Sequence, residues 1–540
     1  MVGERPRGLL VDEVSYGYNA YSLWKTGKDE HGVAWPMVFE AFGDFKLPLY
    51  MYSLVPLVAL FGLEGWVVRL PSVVAGGLLP LAVFMMMRLW GIRVLPSLGG
   101  AVVVALSPWT LMLGRFGYEA HLALMFWTIS LGALIHGTKR GKRAYLIIAG
   151  ILAGVTWYGY VAFRLVSAII FLFSFIYLMR RKRFGDGAFL LGSMLITVVA
   201  ILPYTLDQSG TARFRQIGLF ADPGPMMFLV EQRNACRYDF PGVVCALLWN
   251  KATVYGEILL KRYVDVFSPS YLFLRGDQSL PYLHISHYGQ FSFIVMPFFY
   301  IGIVVIIFNL FKKFTLSLVL LLLGLMVGVL PSLLAGEPQK VRLTVALPFI
   351  LMVIGYGLSH SLSYITAARL RILFMGVFAF MIALHGFRYW VELTGLHQDK
   401  YAQSYGSHLH DVLTFADSNF PDSKLIIAPF FADPIIYYAF YNKTDPSYYQ
   451  SNVKFAQRDS GGFIHAVELG EEVIVNSQQL GEIACNYNGA NLLYITNMPL
   501  LKDYPETGMI YTSKSRDGIH VFAYVYNLKD KEVLVNLCEK

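Results

Sequence analysis

Charge is scarce in this chain: Asp, Glu, Lys and Arg make up only 15% of its 540 residues, against 56% hydrophobic. That shortage excludes an ordinary soluble protein, which would have to expose far too much apolar surface. With a mean hydropathy of +0.51, the sequence reads as an integral membrane protein. Cysteine is scarcer still: Cys236, Cys245, Cys485 and Cys538 are the whole set, and none stands in a C-x-x-C pair. This argues against a zinc site. No D-x-D triplet occurs, and an Asp-Glu pair alone is a poor site for a divalent cation. The sequence therefore assigns no metal or other cofactor and leaves dependence on a divalent cation open. RNP-like, zinc-finger and helix-turn-helix patterns are missing, so the net charge of +8 does not point to nucleic acid. Low-complexity tracts and short-period repeats are missing too.

What is present is a series of apolar runs long enough to cross a bilayer. Ten fall at about 70–90, 94–113, 119–137, 143–162, 164–180, 187–206, 291–311, 314–334, 343–362 and 370–388. Basic clusters occupy every second junction: Arg88/Arg93, Lys139-Arg140 with Lys142-Arg143, Arg180-Arg181-Lys182-Arg183, Lys312-Lys313 and Arg369/Arg371. The positive-inside rule places these five loops in the cytoplasm. Residues 1–69, 114–118, 163, 207–290, 335–342 and 389–540 then face outward, and no run is left over. The segment 49–63, LYMYSLVPLVALFGL, is short and carries Pro56, so it reads as an interfacial helix. An outward N-terminus without a signal peptide or an earlier span has no export route, so a preceding span is expected in the full protein. All four cysteines fall outward, where disulfides can form. Cys236–Cys245 would close a small loop, with four free thiols as the plain alternative.

Three regions follow: an outward segment at 1–69, a bundle at 70–390, and an outward domain at 391–540. The last turns polar and carries β-rich runs at 424–431, 490–498 and 518–526 with helical stretches between them, the pattern of a small soluble α/β domain. The loop 207–290, aromatic and rich in proline, reads as a partly helical lid on the bilayer surface.

Polar chemistry collects directly before the first span. The stretch 12–52 holds the acidic pair Asp12-Glu13, the lone Lys46 and many aromatics. Such a cluster at the mouth of a membrane bundle suits a substrate that is half lipid and half polar. Each residue also has a plain structural reading. Asp12-Glu13 suits a helix start, and Lys46 suits a snorkelling interfacial lysine. Arg69 reads as a headgroup anchor. Arg115 and Glu119, four apart, can pair across a helix turn, and His121 reads as an incidental polar contact. Arg164 stands beside Trp157, Tyr158 and Tyr160, at a depth where charge is costly and tends to serve function. Arg342 opens a later span, with Glu337 and Lys340 close enough to form a surface pair.

The run DEVSYGYNAY at 12–21 matches D-E-x-x-x-G-Y-N-A-Y. It resembles the first external loop of the GT-C glycosyltransferases, in the family-39-like branch of protein O-mannosyltransferases and lipid A aminoarabinose transferases. The resemblance covers roughly 9–390 and is strongest over 12–120; the soluble tail is typical of bacterial or archaeal members. It implies a GT-C fold, an α-helical polytopic membrane protein with an external α/β domain. It also implies transfer of one sugar from a polyprenyl-phosphate donor to a hydroxyl of a protein, lipid or glycan, outside the membrane and with inversion. The leaving phosphate is already a stable anion and needs cations, whereas the incoming hydroxyl must lose its proton to a base. By resemblance Asp12 is that base or positions the acceptor, Glu13 completes the acidic pair, and Glu119 is a second acidic position. Lys46 grips the lipid-linked phosphate, with Arg115, Arg164 and Arg342 as further contacts. The W-W-D-Y-G signature of oligosaccharyltransferases is absent, which argues against whole-glycan transfer to asparagine. No counterpart of the β-trefoil inserts of eukaryotic members occurs, and the single sequon Asn442-Lys443-Thr444 is expected by chance. A flippase for lipid-linked sugars and an inactive lipid-binding scaffold compete with this reading.

Overall fold

The computed structural model describes residues 6–206, 218–312, 315–428, 433–459, 462–475, 480–487, 491–500, 506–515 and 518–538. The chain forms two compact units. One comprises Met1–Val73, Arg115–Gly117 and Glu392–Lys540; the other comprises Val74–Gly114 and Tyr118–Val391.

The second unit is a helical bundle. Among the described residues, eight helical segments of the chain are long and apolar enough to cross a membrane: Gly65–Trp90, Glu119–Arg140, Val161–Arg180, Gly242–Leu274, Phe293–Lys312, Leu316–Leu334, Lys340–Ser363 and Ala368–Lys400. The protein is thus a multi-pass membrane protein, with seven of these segments at runs expected from the sequence.

Three expected spans are shorter helices, Val94–Leu106, Arg143–Thr156 and Phe184–Val198. The first stops because Ser107 caps a new helix, accepting from the Thr110 N–H at 3.2 Å, with Pro108 as its first residue. Conversely, part of the expected lid is an apolar segment, Gly242–Leu274. It is broken into Gly242–Leu248, Lys251–Val266 and a π-helical turn Ser270–Leu274, and only 17% of its apolar window is buried.

Within the bundle, helices approach through glycine. A β-carbon on Gly302 would collide with the Val353 carbonyl, and one on Gly357 with the Phe298 carbonyl. Buried indoles find backbone partners, Trp127 Nε1 donating to the Val345 carbonyl at 3.0 Å and Trp109 Nε1 to that of Lys340 at 3.2 Å.

The first unit joins the two ends of the chain. Helix α1 (Val11–Thr26) leads into a hairpin of β1 (Phe39–Ala41) and β2 (Asp44–Lys46), then α2 (Pro48–Phe61) and the start of α3 (Gly65–Trp90), whose residues from Val74 on belong to the second unit. The C-terminal part carries a seven-stranded sheet ordered β4-β5-β6-β3-β7-β9-β8. Its strands are β3 (Lys424–Ile427), β4 (Val453–Phe455), β5 (Ala466–Leu469), β6 (Val473–Val475), β7 (Leu492–Thr496), β8 (Met509–Lys514) and β9 (Val521–Asn527). The central strand β3 runs parallel to β6 and β7, and the other pairs are antiparallel. β7 is buried along its whole length, as its unbroken LLYIT run requires of a strand covered on both faces. Part of the expected strand at 424–431, and residue 490 of the next, lie outside the described residues.

α1 is bonded to this C-terminal region. Tyr437 Oη donates to the Leu9 carbonyl at 2.7 Å, just ahead of the helix, and Tyr18 Oη donates to that of Thr444 at 3.1 Å. Gln450 Nε2 donates to Ser22 Oγ at 3.0 Å and to the Asp29 carbonyl at 2.8 Å. Two disulfides form, Cys236–Cys245 in the bundle unit and Cys485–Cys538 in the sheet unit.

Candidate functional site

Asp12 and Glu13 occupy the second and third positions of α1, after an N-cap residue, Leu10, whose side chain cannot cap. Glu13 does that work instead, Oε2 accepting the Leu10 N–H at 2.9 Å. Consecutive helical residues point about 100° apart, so only one of the two faces inward. Glu13 is that one, 1% exposed. Its Oε1 accepts from Arg69 Nε and from the Gly117 N–H, each at 2.8 Å, and its Oε2 also accepts from Arg69 Nη2 at 3.0 Å. Arg69 also donates to the carbonyls of Pro6 at 2.9 Å and Gly8 at 2.7 Å. It is fully buried, so the headgroup-anchor reading of Arg69 does not hold: the arginine is the core counter-ion of Glu13.

Asp12 keeps 35% of its side chain exposed and meets Lys46, whose Nζ lies 3.0 Å from Asp12 Oδ1 and 3.3 Å from Asp44 Oδ2. The hairpin brings this about. Phe42 and Gly43 both take positive φ, 58° and 77°, as a two-residue turn requires. Asp44 and Lys46, two apart on β2, then share a face. The turn is held from the C-terminal region, the Ile464 N–H donating to the Phe42 carbonyl at 3.1 Å and Arg458 pairing with Glu40 at 3.0 Å. α2 follows with 14 residues, about 21 Å, well short of a bilayer core of roughly 30 Å. Arg115 belongs to the same unit, and its guanidinium is pushed down to about 10 by burial and by the nearby Arg69 charge; it stays charged at neutral pH. One unit thus gathers Asp12, Glu13, Lys46 and Arg115.

The remaining candidates lie in the bundle unit. Glu119 is buried and opens the helix Glu119–Arg140, where the helix dipole favours a carboxylate. Arg164 stands in the first turn of Val161–Arg180. Its Nε donates to the Trp157 carbonyl at 3.1 Å, and its buried Nη2 has no partner among the described residues. Arg342 is half-buried and donates to the Ala335 carbonyl. Lys340 is not the surface partner of Glu337. It is buried, its ammonium bonded to the Leu283 carbonyl and its N–H donating to Asp277 Oδ2 at 2.7 Å. Glu337 faces Arg262 at 3.8 Å. His121 is fully buried, with no partner for either ring nitrogen among the described residues.

Sequence reasoning passed over Glu30, Asp433 and His465, all in the first unit. Asp433 is buried with φ 46°, and its Oδ1 lies 2.8 Å from His465 Nδ1. Burial pushes its carboxyl up; His465 opposes that, and the Asp12 charge adds to it. Asp433-Pro434 is readable from sequence only as a helix start. Burial also raises Glu30 above the ordinary carboxylate range. A carboxyl raised in the fold stabilises it fully below its unfolded pKa and loses that contribution as pH rises through the folded value. Glu30→Gln is therefore expected to flatten the rise in melting temperature as pH falls toward the ordinary carboxylate range. An unchanged slope would show that Glu30 does not carry it.

No protein-family model and no curated protein matches the chain. Among solved structures it is similar to ArnT from Cupriavidus metallidurans bound to undecaprenyl phosphate. That match is at 12% identity and TM-score 0.49, over 99% of this chain and 96% of that one. It is also similar to the oligosaccharyltransferase AglB from Archaeoglobus fulgidus in complex with an inhibitory peptide and a dolichol-phosphate. That match is at 15% identity and TM-score 0.46, over 81% of this chain. The chain spans 60% of the length of the AglB protein. Likenesses this shallow decide nothing about activity, which rests on the residues.

Proposed function

We propose that this protein is a glycosyltransferase of the GT-C kind, moving one sugar from a polyprenyl-phosphate donor to an acceptor hydroxyl on the outer face of the membrane. The observation that carries the reading is the Asp12–Lys46 pair, a partly exposed carboxylate 3.0 Å from a nearly buried ammonium. The acceptor oxygen attacks the anomeric carbon as the bond from that carbon to the phosphate oxygen breaks, and its electron pair leaves on the phosphate. The hydroxyl proton passes to Asp12. Attack opposite the departing group inverts the anomeric centre. Lys46 offsets the charge that grows on the phosphate, and Arg115, Arg164 and Arg342 are the further cations assigned to it.

Glu13 has a different task. Four donors fill its carboxylate, so it fixes the start of α1 and with it the direction of Asp12. Glu119 is the second carboxylate assigned to the reaction. The catalytic segment 1–69 acts together with the C-terminal region 391–540, and the bundle 70–390 receives the lipid. The acceptor is a protein, lipid or glycan.

The undecaprenyl and dolichol phosphates held by ArnT and AglB set the lipids to try. The test offers purified protein a panel of labelled sugars on both. Label leaving the lipid supports the reading. A protein that binds the lipids and transfers nothing, or that moves them across vesicles, would overturn it in favour of a scaffold or a flippase. Lys46→Gln is expected to lower kcat/KM for the lipid-linked donor on the order of 10²-fold; a loss below twofold would remove Lys46 from the phosphate.

A further inference from the structure

The bundle unit contains an open cavity of about 470 Å³, with Asp265, Tyr271, Arg275, Gln278, Ser279 and Glu337 among its lining residues. That volume lies within the roughly 300–1,000 Å³ of ligand pockets. None of these residues has a part in the sugar transfer proposed above. The walls come from the end of the apolar segment Gly242–Leu274, from the loop after it, and from the residues just ahead of Lys340–Ser363. Polar side chains at the ends of membrane-spanning segments stand at the level of the lipid headgroups.

The fold builds this wall firmly. The π-helical turn Ser270–Leu274, a conformation frequent at functional sites, closes as the Arg275 N–H donates to the Ser270 carbonyl at 2.7 Å. Gly276 follows at φ 70°, where a β-carbon would meet the Tyr288 carbonyl at 2.7 Å. Two nearby carboxylates are already occupied. Asp277 Oδ1 accepts from the Ser279 N–H at 2.9 Å and from Ser279 Oγ at 2.6 Å, and its Oδ2 accepts from the Lys340 N–H at 2.7 Å. Glu337 faces Arg262 at 3.8 Å.

Three groups are left over. Tyr271 is 8% exposed, and its buried hydroxyl has no partner among the described residues, although buried tyrosine hydroxyls ordinarily find one. Arg275 and Asp265 are exposed, and among the described residues neither side chain makes an ion pair or a hydrogen bond.

One cavity thus offers an unpaired cation, an unpaired anion and a buried hydroxyl. A bare anion would answer Arg275 and Tyr271 and be repelled by Asp265, and a neutral sugar would answer neither charge. A phosphate ester that also carries a protonated amine answers all three groups. Its phosphate accepts from the Arg275 guanidinium and the Tyr271 hydroxyl, and its ammonium pairs with Asp265. The chain neighbours of the two charged residues, Val264 and Leu274, are exposed apolar side chains, which suits a ligand with hydrocarbon attached. We propose that the cavity binds the headgroup of a zwitterionic, amine-bearing phospholipid. The site lies within the bundle unit and does not depend on the transfer reaction.

The test is binding to the full-length protein in detergent, titrated with dihexanoyl phosphatidylethanolamine, dihexanoyl phosphatidylglycerol and the soluble glycerophosphoethanolamine. Wild type is expected to bind the ethanolamine lipid about tenfold or more tightly than the glycerol lipid. Arg275→Gln should weaken the ethanolamine lipid by about tenfold, and Asp265→Asn should abolish the preference between the two lipids. Tyr271→Phe should weaken both lipids alike. Arg275 and Asp265 are exposed, so melting temperatures close to wild type are expected and check that the variants are folded. Equal binding of the two lipids by wild type would overturn the proposal, as would a wild-type preference in folded Asp265→Asn or unchanged affinity in folded Arg275→Gln. Tighter binding of the glycerol lipid would replace the proposal with a plain anion site. Glycerophosphoethanolamine bound as tightly as the lipid would overturn the membrane source and assign the cavity to a soluble phosphate ester.

Discussion

Asp12→Asn is expected to lower sugar transfer by about 10²- to 10⁴-fold, the usual contribution of a positioned general base. The fold has little stake in that charge. Asp12 is one-third exposed, and ion pairs of that kind contribute about 0–1 kcal/mol. Asparagine keeps the shape and one acceptor oxygen toward Lys46 and removes only the ability to take a proton. The expected pattern is therefore a collapse of kcat with donor affinity and melting temperature close to wild type. Equal transfer by wild type and variant would take Asp12 out of the role and turn attention to Glu13 and Glu119.

Its neighbour is expected to behave in the opposite way. Glu13→Ala removes a carboxylate that accepts from Arg69 and from the Leu10 and Gly117 N–H groups, all of them buried. Breaking a buried pair from one side strands the other charge and costs about 3–5 kcal/mol. Glu13→Ala should melt far earlier than wild type, or fail to accumulate folded. Glu13→Gln with Arg69→Met, which leaves no buried charge, should recover much of the loss. A Glu13→Ala protein with a wild-type melting temperature would contradict the anchoring role and reopen Glu13 as a reacting group.

These two residues also mark how far the sequence can be read. Membrane spans are legible because hydropathy is local, and the C-terminal sheet is legible because LLYIT and its counterparts are β-rich. One short helix, Val94–Leu106, was missed because a single local signal, Ser107 capping ahead of Pro108, cut an apolar run in two. Lys46 was singled out through the resemblance as a phosphate contact, but neither its hairpin nor its pairing with Asp12 was legible. Which of Asp12 and Glu13 faces inward was not legible, since it depends on Arg69 and Gly117, 56 and 104 residues further along. Asp433, which feels Asp12 from more than 400 positions away, left only a helix-start signature. Lys340 looked like a surface charge because nothing in its own segment announces Asp277 and Leu283.

The most direct measurement follows the label from an α- or β-linked undecaprenyl-phosphate sugar through wild-type protein and assigns the anomeric configuration of the product by NMR. The account predicts that label leaves the lipid, that bare undecaprenyl phosphate is released, and that the product carries the opposite configuration to the donor. Retained configuration would contradict the single displacement at Asp12, and lipid that binds and keeps its sugar under every acceptor tried would contradict the transferase itself.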